Sequence, residues 1–153
     1  MRRQLFAALL FSLPSAAFAA GDFPLASCKG WNGTIIEREG IDTQHATMSG
    51  ILTKADFQEY CERDPGGETQ QYGGKLTLKQ CVKRYMQQSG KDKMSSTANC
   101  DTGQLSFKLS QKPAQRVRFP LQDEDTSCAS GMPPLIEQFK LLCPKAAERW
   151  GVQ

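Results

Sequence analysis

The chain is short of the side chains that do most enzymatic chemistry. It has one histidine, His45, among 153 residues. A Ser-His-Asp or Cys-His arrangement needs a histidine beside a nucleophile and an orienting acid. His45 lies in the polar stretch Asp42-Thr43-Gln44-His45, with no G-x-S-x-G elbow to present a serine. No C-x-x-C pair is present, so a zinc site of paired thiolates fits poorly. Asp123-Glu124-Asp125 lacks the alternating oxygens and the glycine of a calcium loop. Gly66-Gly67 and Gly73-Gly74 lack the Lys-Ser/Thr element of a phosphate loop and read as connectors. The sequence therefore implies no cofactor and no metal. It has no internal repeat, no low-complexity segment and no apolar run of the roughly twenty residues that a membrane span needs.

A large charge of either sign is missing too. Lysine and arginine number 19 against 16 acidic residues, and Arg2 and Arg3 belong to the N-terminal segment discussed next. Without them the balance is near neutral, which excludes long-range attraction to nucleic acid.

What is present begins with a leader. Met1-Arg2-Arg3, an apolar stretch from Leu5 to Leu13 and the small residues Ala16-Ala17-Phe18-Ala19-Ala20 match a secretory signal peptide, cleaved after Ala19 or Ala20. Residues 1–20 are read as that signal and 21–153 as one domain, periplasmic or secreted. Leu25-Ala26-Ser27-Cys28 has the form of a lipoprotein box, but Asp22 and Pro24 separate it from the apolar run. Lipidation of Cys28 would also leave an odd number of thiols in an exported chain.

Six cysteines follow: Cys28, Cys61, Cys81, Cys100, Cys128 and Cys143. An even count behind an export signal reads as a disulfide framework of three bridges. Fifteen pairings are open to six cysteines.

The order of elements is legible in outline. Thr34-Ile35-Ile36 and Ala46 to Leu52 have the composition of short strands. Thr53 with Asp56 three residues on, and Thr77 with Gln80, are capping boxes that open two helices. Phe57, Tyr60 and Cys61 share one face of the first; Leu78, Cys81, Val82, Tyr85 and Met86 line the second, with Gly90 placed to cap it. Both cysteines thus point inward, toward each other or toward a third element. Met94 to Asn99, Gln104 to Ser110 and Arg116 to Phe119 alternate with period two and predict a three-stranded meander. Gly103 supplies the positive φ of its first turn. Pro133-Pro134 opens a last helix through Leu135, Ile136, Phe139, Leu142 and Cys143. The expected architecture is α+β: a small three-stranded antiparallel sheet packed against about three helices, stabilised by disulfides.

Function is argued mainly from charge. Lys108, Arg116 and Arg118 project from the wet side of the expected sheet, and Lys79 and Lys83 stack at i, i+4 on the second helix. If these surfaces adjoin, they form a cationic patch for phosphate or carboxylate groups. Trp31, beside Asn32-Gly33, is a candidate contact for a sugar or a protein, and Trp150 a candidate clamp on the C-terminus. The reading is a non-catalytic exported binding protein of the cell envelope: an inhibitor, an immunity protein or an envelope-associated factor. Its expected partner is an envelope or secreted protein, or an anionic envelope polymer. Two alternatives stand beside it. One is a small cell-wall hydrolase drawing on paired carboxylates among Glu37, Glu39, Asp42, Asp56, Glu59 and Glu62. The other is a structural or assembly component acting through a protein interface.

Overall fold

A computed structural model describes residues 21–26, 31–64, 66–110, 112–122 and 126–152. The stretch read as a signal peptide (1–20), Ser27 and Cys28 of the lipoprotein box, and Asp123-Glu124-Asp125 lie outside these described residues. The strands are β1 (Asp22–Ala26), β2 (Trp31–Glu39), β3 (Ala46–Ile51), β4 (Lys93–Asn99), β5 (Gln104–Leu109) and β6 (Gln115–Arg118). They form one sheet in sequence order, and every neighbouring pair is antiparallel. Helices α1 (Lys54–Arg63) and α2 (Leu78–Ser89) separate β3 from β4, while α3 (Met132–Leu142) and α4 (Pro144–Arg149) follow β6.

The class is α+β, but the expectation of a three-stranded sheet is corrected: the sheet has six strands. The meander expected from alternation is β4–β6, and β1–β3 extend it. The reason lies in the residues that face the core. In β3 these are Ala46, Met48 and Gly50, and in β2 Gly33 lies on the same side. Small inward residues give almost no hydrophobic alternation, yet packing requires them. A Cβ on Gly33 would lie 2.6 Å from Met94 Cε, and one on Gly50 would lie 2.7 Å from a ring carbon of Phe23. The large side chains that fill this part of the core belong to other strands.

Both capping boxes form. Thr53 accepts from the Asp56 amide while the Asp56 carboxylate accepts from the Thr53 amide; Thr77 and Gln80 do the same. α1 and α2 make a hairpin whose inward cysteines bridge to each other, Cys61 to Cys81, across 20 residues. Gly90 caps α2 through its N–H to Met86, in a right-handed rather than a left-handed conformation. α1 ends on Asp64, left-handed at φ 38°. The Asp64 carboxylate is buried and accepts from the Glu68 amide at 2.9 Å, the Thr69 amide at 2.6 Å and the Thr69 hydroxyl at 2.7 Å. Burial opposes the charged form, but these hydrogen bonds outweigh it and hold the carboxyl below its usual range. The return to α2 is further tied by Tyr85, whose hydroxyl donates to Glu68 at 2.7 Å. Burial pushes its phenol up, and the hydrogen bonds with Tyr60 and Glu68 act in the same direction.

The core lies between the inner face of the sheet and α3. Leu135, Ile136, Phe139 and Leu142 of α3 meet Phe23, Met48, Met94, Leu105 and Phe119. Two polar residues, Gln138 and Ser96, are fully buried among them. Gln138 accepts from the Ser96 hydroxyl at 2.6 Å and donates to the Pro24 carbonyl at 2.7 Å, tying α3 to β4 and β1. Cys100 bridges to Cys143 across 43 residues, closing the end of β4 onto the end of α3. Restriction of the unfolded chain makes the Cys61–Cys81 bridge worth about 3 kcal/mol and the Cys100–Cys143 bridge about 4 kcal/mol. Cys128 is disulfide-bonded as well. Trp150 clamps the C-terminus: it stacks on Phe139, which stacks in turn on Phe119. Among the described residues, no helix is long and apolar enough to cross a membrane.

Candidate functional site on the open sheet face

Helix α3 packs against β1, β3, β4 and β5 on the inner face, and α1 packs against β2. Over β3–β6 the outer face presents exposed or half-exposed polar side chains. Register orders these side chains into rows. Thr47, Thr97, Ser106 and Arg116 stand opposite one another across β3, β4, β5 and β6. One step toward one end of the sheet lie Asn99, Gln104 and Arg118; one step the other way lie Ser49, Ser95 and Lys108. Cross-strand partners share a face, so each row is a continuous line of side chains.

A hollow of about 550 Å³ occupies part of this face, lined among others by His45, Thr47, Thr97, Gln104, Ser106, Arg116 and Arg118. A second, also about 550 Å³, lies further along the same strands over Ser49, Ser95, Lys91, Lys93 and Lys108. Among the described residues, no carboxylate lines either one. Acids border the region: Asp92 accepts at 2.9 Å from the hydroxyl of Ser110, which lines the second hollow. Asp101 accepts from the Gln44 amide at 2.7 Å, and Glu37 and Glu39 of β2 stand opposite Ser49 and Thr47. Charge is therefore graded across the face, acidic along β2 and basic along β5 and β6. Among the described residues, Lys93, Lys108, Arg116 and Arg118 have no ion-pair partner, and the side chains of Thr47, Thr97, Gln104 and Ser106 bond to no protein group. Both kinds of group are available to a ligand.

The other candidate residues lie elsewhere. Lys79 and Lys83 line a separate hollow of about 680 Å³ between α1 and α2, with Lys54, Leu78, Val82 and Met86. It shares no residue with the two on the sheet, so the basic side chains line two surfaces rather than one hollow. Trp31 is committed to packing. Its indole N–H donates to the Asp56 carbonyl at 3.2 Å and its ring meets Tyr60, which fastens β2 to α1.

Most of the carboxylates considered for hydrolysis are engaged in other contacts. Asp42 accepts from the Lys145 amide at the start of α4, and Asp56 serves its capping box. Glu59 pairs with Arg63, Glu62 accepts from Gln58, and Glu37 and Glu39 stand on the sheet edge. His45 lines its hollow together with the hydroxyl residues Thr47, Thr97 and Ser106, but among the described residues its ring bonds to neither a hydroxyl nor a carboxylate. Among the described residues, no cluster of three or more His, Cys, Asp or Glu is placed to hold a metal.

The lining residues Thr47, Thr97 and Gln104 were not singled out by sequence reasoning. Their signal was alternation itself, since each takes the outward position next to a core residue. In β3 that signal was muted by the small inward residues.

Fold and face together define a disulfide-bonded α+β domain whose six-stranded meander is covered on one side and open, polar and partly cationic on the other. The chain matches no protein-family model, no curated protein and no solved structure.

Proposed function

We propose that this chain is an exported, non-catalytic binding protein of the cell envelope, periplasmic or secreted, that holds an anionic partner on the open face of its sheet. One observation carries the reading: Arg116 and Arg118 line a hollow with uncommitted hydroxyl and amide groups, and neither arginine has a carboxylate partner among the described residues. A guanidinium fork and adjacent hydroxyls suit carboxylate, sulfate or phosphate. The disulfides support an oxidising compartment. The engagement of Asp42, Asp56, Glu59 and Glu62 in other contacts, and a His45 ring with no hydroxyl or carboxylate partner among the described residues, favour binding over catalysis.

The test is affinity capture from periplasmic extract on the immobilised protein and on the double variant Arg116→Glu/Arg118→Glu. A partner retained by the parent and lost by the variant is the expected result. Identical retention by both would remove the sheet face from the binding reaction.

A further inference from the structure

The register of β4, β5 and β6 places one cation in each of four successive rows along the open face. Arg118 stands in the row of Asn99 and Gln104, and Arg116 in the row of Thr97 and Ser106. Lys108 stands in the row of Ser95, and Lys93 begins β4 one step beyond. All four side chains are exposed, and all four line the two hollows of this face. Same-face residues of a strand recur every two positions, about 7 Å, so the four rows span about 20 Å along the strand direction while the cations step across from β6 through β5 to β4. Lys91 adds a further cation at the lysine end.

From this ladder we infer that the open face is a track for a linear anionic polysaccharide laid along β4–β6. The inference rests on the proposed anion-holding face and names its ligand class. A compact anion would use one arginine pair; four cations at regular spacing answer a polymer with repeated negative groups. Between the cations stand Ser95, Thr97, Ser106 and Gln104, each able to donate and to accept, as sugar hydroxyls require. His45 is the one aromatic ring that the described residues bring to either hollow and no Phe, Tyr or Trp joins it, so the succession of rings on which single-stranded nucleic acid stacks its bases is missing among them. The acidic border at Glu37 and Glu39 repels such a polymer from β2 and keeps it over the basic strands.

The experiment is calorimetric titration of the purified protein at low ionic strength with size-graded dextran sulfate and with oligogalacturonates. Neutral dextran, polyglutamate and oligothymidylate serve as comparators. Both anionic polysaccharides are expected to bind, neutral dextran not to bind, and affinity to rise with length until the oligomer spans about 20 Å and then to level off. Lys93→Ser, Lys108→Ser, Arg116→Ser and Arg118→Ser should each weaken binding by a similar factor, roughly twofold to fivefold. Lys79→Ser/Lys83→Ser, on the other hollow, should leave it unchanged. The length series on the parent protein needs no variant, so misfolding cannot mask the result. If only Arg116 and Arg118 matter, or if length has no effect, the anion-holding face stands and the track falls. Tighter binding of polyglutamate or oligothymidylate overturns the polysaccharide assignment. Loss of affinity in Lys79→Ser/Lys83→Ser equal to that in the ladder variants would show general charge attraction and overturn the track.

Discussion

Ser96 and Thr97 are neighbours in β4, yet they live in different solvents. Ser96 is fully buried and spends its hydroxyl on Gln138. Thr97 is exposed, and its hydroxyl bonds to no protein group among the described residues. The same division runs through the strands of the meander: alternate residues build a tightly filled inner face and an open outer one. On the inner face a polar atom must find a partner within the fold, because leaving it unmade carries the full desolvation cost. On the outer face water supplies the partner, so polarity costs little and remains available for recognition.

Substitutions on the inner face should therefore dominate stability. The largest effect is expected for Phe139→Ala, which removes a ring stacked between Phe119 and Trp150. Denaturant unfolding should show a loss of about 3–5 kcal/mol. Replacing Cys100 and Cys143 together with alanine should cost about 4 kcal/mol at most, read as a lower denaturation midpoint. A larger loss would mean that the bridge acts on the native state as well as on the unfolded chain. Ser96→Ala leaves the buried Gln138 oxygen short of its donor and should cost about 1–3 kcal/mol. A neutral result would dissolve the contrast between the faces.

Asp64 sharpens the comparison through pH. Its folded pKa is lowered, so its contribution is complete above the unfolded value of about 3.9 and is lost as pH falls through the folded value. The stability difference between the parent and Asp64→Asn should be largest near neutrality and shrink below about pH 4. A constant difference would mean that the loop is held without the charge. The smallest effect is expected on the outer face, where Thr97→Ala should change stability by no more than about 0.5 kcal/mol.

How much of this was legible follows the same division. Both capping boxes were readable because they are local: Thr53 to Asp56 and Thr77 to Gln80 close within four residues. The meander β4–β6 was readable because Leu105, Phe107 and Leu109 alternate with polar neighbours. β3 was readable over its whole length, from Ala46 to Leu52, and β2 only at Thr34-Ile35-Ile36, but with Ala46, Gly50 and Gly33 inward neither showed the alternation that would join it to the meander. β1 was hidden, since it pairs by completing an edge and its Phe23 fills the space that Gly50 leaves. Lys108, Arg116 and Arg118 could be assigned to the wet face by alternation, and the structure places them there. Thr47, one strand further across, could not be joined to them without the β3–β4 register.

The amino-acid order by itself determined the helix starts, the turn at Gly103 and the outward or inward phase of β4–β6, because each depends on residues a few positions apart. It also determined that six cysteines must be accommodated, an even number open to full pairing. Only the tertiary structure decided that six strands share one sheet, that Cys61 meets Cys81 and Cys100 meets Cys143, and that four cations line up along one face. Those outcomes depend on which distant segments lie side by side, and contacts across tens of residues are set by packing volume and strand register, which leave little trace in local pattern.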